Sequence, residues 1–116
     1  MKVLLVHVGA SLDDPLAASL SDWGHSVRLA TSDADAALPW TDYRPDVILA
    51  RLEGDSAKGL DLLEKLASKR PLVGAPVLVT GGNELAVTAA RRRFPDASFA
   101  RIDAVATALA SIESTD

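Results

Sequence analysis

The chain has 116 residues, no cysteine and a formal charge of -4. That length is one domain able to bury roughly two-thirds of its unfolded surface, so folding needs neither disulfide nor metal. The missing cysteines exclude disulfide frameworks, thiolate nucleophiles and zinc-thiolate sites. A net acidic chain is a poor ligand for nucleic acid, where affinity rests on surplus Lys and Arg, and the one basic cluster, Arg91 to Arg93, is too local to reverse the balance. No apolar stretch approaches the roughly 20 residues that span a bilayer. The expectation is a single cytoplasmic domain over residues 1–116 that contacts neither membrane nor nucleic acid.

MKVLLVHVG opens the chain with an apolar strand. Leu12, Leu16, Leu20 and Trp23 then fall on one helical stripe, after Asp13, Asp14 and Pro15, which suit a helix start. GHSVRLA is a second strand, with Gly24 and His25 in the turn before it, and Asp33 to Leu38 a short helix that Pro39 and Trp40 end. PDVILARL is the third strand, followed by a helix carrying Leu60, Leu63, Leu66 and Ala67 on one face. APVLVTG is the fourth, followed by a helix with Leu85, Ala89 and Ala90 inward and Arg91 to Arg93 at the end that favours cations. ASFARI is the fifth, and a last helix runs from about Asp103 as N-cap through Val105, Leu109 and Ile112.

KVLLV, VILA and PVLV are unbroken runs without alternation, as expected of parallel strands covered on both faces. Strict alternation of strand and helix implies right-handed crossovers and a parallel sheet between two helical layers. In such a sheet ligands gather at the carboxyl ends of the strands, near the point where strand order reverses.

At those ends the chain resembles the receiver domains of response regulators. From His7 to Gly24 the spacing matches that family's distance to its GH or GY turn, and Arg51 to Gly59, in ARLEGDSAKGLDLL, keeps its interval of eight residues to glycine. Thr80 in VLVTGG stands where the family has Thr or Ser, and Phe99, nineteen residues on, stands where it has a switching aromatic. The resemblance covers nearly the whole chain and implies a flavodoxin-like (CheY-like) doubly wound fold of five parallel strands with helices on both faces.

The reactive groups of that family are missing. His7 and Val8 occupy the place of the acidic pair that holds magnesium, Arg51 that of the phosphoacceptor aspartate, and Ile102 that of the lysine that pairs with the phosphate. Arginine stays protonated and has no lone pair with which to attack phosphorus. Magnesium wants hard oxygen ligands, and a cation at Arg51 repels it. The resemblance therefore implies a pseudo-receiver: not an enzyme, without cofactor or metal, acting independently of phosphorylation as a protein-interaction module in bacterial signal transduction. By the same analogy its partner surface is the fourth helix, fifth strand and fifth helix, with Arg91, Arg92, Phe99 and Arg101 as contacts for an acidic protein or a second copy of the chain.

Two readings of Arg51 stay open: a local ion pair with Glu53 or Asp55, or an anion site with Thr80 and the Gly81 and Gly82 amides. The second extends to an alternative function, a small-anion sensor whose mouth is His7, Arg51 and Thr80. Asp13, Asp14, Glu53 and Asp55 are substitutes for the lost carboxylates only in proximity along the chain. His7 reads as a hydrogen-bonded strand-end residue and His25 as part of a turn.

Overall fold

The computed structural model describes residues 2–8, 15–31, 45–52, 56–68 and 75–113. The expected short helix over Asp33–Leu38, Leu12, Asp13 and Asp14 at the expected start of the first helix, and the acidic residues Glu53 and Asp55 lie outside the described residues. The described strands are β1 (Lys2–Val6), β2 (Ser26–Ala30), β3 (Val47–Arg51), β4 (Val77–Thr80) and β5 (Ser98–Ala100). The described helices are α1 (Pro15–Asp22), α2 (Ser56–Ala67), α3 (Glu84–Arg93) and α4 (Val105–Glu113). In the family's count the last two are the fourth and fifth.

All five strands pair in parallel in the order β2-β1-β3-β4-β5. The order reverses between β1 and β3, so the crevice outside their carboxyl ends is the natural ligand position. Side-chain alternation splits the apolar runs between two cores. Val3, Leu5, Val47, Leu49 and Leu78 face one layer with Leu16 and Leu20 of α1 and Val105 and Leu109 of α4. Leu4, Val6, Ile48, Ala50 and Val79 face the other, with Leu60, Leu62, Leu63 and Leu66 of α2 and Ala86 and Ala90 of α3. Burial on both faces is why these strands read as continuous apolar runs.

The structure corrects three local readings. Trp23 is 46% exposed rather than part of the buried stripe, because α1 ends at Asp22. The chain turns there through Gly24 at φ 91, whose left-handed backbone lets His25 N–H reach the Leu20 carbonyl at 3.1 Å. Leu85 is 81% exposed, because α3 turns its alanines, Ala86 and Ala90, to the core and leaves the adjacent residue about 100° away. Asp103 is not an N-cap: it lies within a 3-10 turn, Ile102–Ala104, that precedes α4 and is entered from Arg101.

Candidate functional site

Strand pairing brings the positions singled out in the sequence to one edge of the sheet. Arg51, the last residue of β3, is in register with Thr80, the last of β4. The two strands therefore end level, and the ladder continues one step further, Leu52 N–H donating to the Thr80 carbonyl at 3.0 Å. His7 follows β1 directly, its N–H still donating to Ala30 O at 3.0 Å. By alternation His7, Arg51 and Thr80 continue the face of Leu5, Leu49 and Leu78, whereas half-buried Val8 packs against the opposite core. Ile102 opens the 3-10 turn after β5. His7, Arg51 and Thr80 thus end three adjacent strands of the sheet at its switch-point side.

Thr80 is 1% exposed, and its Oγ1 is buried without a hydrogen-bond partner. The backbone beyond Thr80 is glycine at two successive left-handed positions, Gly81 at φ 73 and Gly82 at φ 82. At Gly82 a Cβ would lie 3.0 Å from Leu52 Cβ and 3.1 Å from Ala86 Cβ, so glycine also allows the chain to pass between β3 and α3. Asn83 then caps α3, its Oδ1 accepting from Ala86 N–H at 2.9 Å. An Asn directly before a helical run is the sequence signal that would have found this cap.

The donor set does not fit magnesium. Positions 7, 8 and 51 present an imidazole, an isopropyl group and a guanidinium, none of them the oxygen ligands the ion requires. No three His, Asp or Glu residues converge among the described residues.

The arginines of α3 do not act as one cluster. Arg93 turns to α2, donating to Asp61 Oδ1 at 3.0 Å and to Glu64 Oε2. Arg91 turns to β5, its guanidinium carbon 4.7 Å from the Phe99 ring centroid, a cation–π contact. Arg92 stays exposed. Arg101, just after β5, pairs loosely with Asp103 at 3.6 Å, both side chains well exposed. Arg91, Arg92 and Arg101 are thus exposed, whereas Arg93 is engaged with α2. The Arg91–Phe99 stack was not legible in the sequence, since it depends on the relation of α3 to β5.

No protein-family model matches the chain, and no curated protein matches it. Solved structures do. The chain is similar to NtrX from Brucella abortus, with 26% identity and a TM-score of 0.69 over 97% of this chain. It spans only 27% of the NtrX chain. It is also similar to the chemotaxis protein CheY4 of Vibrio cholerae, at TM-score 0.72 and 17% identity, covering 96% of this chain and 97% of that one. A CheY-like response regulator receiver domain protein from Methanospirillum hungatei aligns at TM-score 0.67 and 15% identity, covering 97% and 93%. The fold is the CheY-like, flavodoxin-like one expected from the sequence. No described helix is long and apolar enough to cross a membrane.

Proposed function

We propose that this chain, folded as a receiver domain, is a phosphorylation-independent member of that fold: a protein-interaction module in bacterial signal transduction with no catalytic step of its own. The observation that carries the reading is Arg51, which ends β3 beside Thr80. A phosphoacceptor is expected at that position, and a guanidinium can neither accept a phosphoryl group nor tolerate the cation that phosphoryl transfer needs. A domain without that switch derives its use from a surface held in one state or selected by a partner.

The surface is that of α3, β5 and α4. Its exposed cations, Arg91, Arg92 and Arg101, contrast with the chain's formal charge of -4 and favour an acidic partner, including an acidic region of a second copy. Exposed Leu85 adds an apolar anchor, because it precedes Arg92 by about two helical turns and so shares its side of α3. The experiment is charge reversal at Arg92 and Arg101 together, read by pull-down from native lysate. Loss of partner capture with the fold intact supports the reading. Retention of every partner, or loss only on changing His7 and Arg51, contradicts it.

A further inference from the structure

An open cleft of about 490 Å³ lies between α3 and the ends of β4 and β5. It shares Thr80 with the strand-end mouth but draws its cations from Arg91 and Arg101, on the other side of β4. We infer that this cleft binds a small organic anion, a carboxylate or phosphate monoester carried on a compact apolar body. The inference goes beyond the interaction surface, because it needs no protein partner.

The chemistry follows from the lining. Thr80 is among the lining residues, but its hydroxyl is buried, so the contacts to a ligand oxyanion fall to the two arginines. Arg91 lines the cleft with its guanidinium carbon 4.7 Å from the Phe99 ring centroid, a contact that uses none of its N–H donors and so leaves them for an oxyanion. Arg101 is held by Asp103 in an exposed pair, a contact worth little and readily exchanged for a ligand oxyanion. Val87 and Phe99 supply apolar wall. Two guanidinium groups against one carboxylate leave a net positive rim, and the volume suits a ligand larger than an inorganic ion.

The test is a titration of the whole chain followed by amide NMR, with phenyl phosphate and benzoate as probes and inorganic phosphate and benzyl alcohol as controls. Saturable shifts at Gly81, Val87, Phe99 and Arg101 with at least one organic anion, stronger than with either control, are expected. Arg91→Gln should weaken that binding roughly tenfold or more, as loss of a charge-assisted hydrogen bond does, and Thr80→Val should change it little. Arg51→Gln should leave it unchanged. Absence of saturable shifts with both organic anions up to millimolar concentration overturns the inference, as does binding that is insensitive to Arg91→Gln or abolished by Arg51→Gln. Native-like amide spectra of the three variants keep the comparison free of folding effects, and none of these outcomes bears on partner capture.

Discussion

Arg51 and Thr80 stand side by side at the carboxyl ends of β3 and β4, fixed there by a ladder that runs through Leu52 N–H to the Thr80 carbonyl at 3.0 Å. The fold thus keeps the geometry of a strand-end site while the side chain at its centre is a permanent cation. Position and chemistry have separated, and each can be tested by itself.

Restoring the nucleophile alone should not restore the chemistry. Arg51→Asp is expected to remain unmodified by acetyl phosphate with magnesium, because His7 and Val8 still offer no carboxylate and Ile102 no ammonium. The change should cost stability on the order of 1 kcal/mol, as for a partly exposed charged residue. Efficient phosphorylation of this variant, read by intact mass, would show that another acidic residue already serves the metal.

Gly82 is expected to resist substitution. At φ 82, with a Cβ 3.0 Å from Leu52 Cβ and 3.1 Å from Ala86 Cβ, Gly82→Ala combines left-handed strain with two contacts that must give way. A loss of about 2 kcal/mol or more in urea unfolding is expected. A loss below about 0.5 kcal/mol would mean that the passage between β3 and α3 is looser than those distances imply.

Arg93 should behave as a clamp between helices rather than as part of the basic face. Arg93→Ala removes its contacts with Asp61 and Glu64 of α2 and should cost about 0.5–1 kcal/mol at low salt, less at high salt. Partner capture should be untouched. If capture fails while stability holds, Arg93 belongs to the interaction face after all.

Much of the sheet was legible because each strand of the interior is an unbroken apolar run, and burial on both faces leaves no other place for it. Helix boundaries were less so. Leu85 matched a helical stripe on hydrophobicity, but small Ala86 and Ala90 take the inward positions against α2 and β3, so the larger side chain is left outside. Trp23 matched the stripe of α1 only if the helix continued past Asp22, and Gly24 ends it. The Arg91 to Arg93 run looked like one cluster in one dimension. Two residues along a helix is a rotation of about 200°, which sends Arg91 to Phe99 and Arg93 to α2. At the site, the absent carboxylates were plain from spacing, whereas the orphaned Thr80 hydroxyl and the cleft beside it depend on how β4, β5 and α3 come together.

The most direct measurement is the amide NMR spectrum of the unaltered protein on addition of beryllofluoride with magnesium, paired with intact mass after acetyl phosphate. With Arg51 in place of a carboxylate and no oxygen ligands at His7 and Val8, the spectrum should not move and the mass should not change. A stable phospho-adduct, or magnesium-dependent shifts clustered at the ends of β1, β3 and β4, would contradict phosphorylation independence.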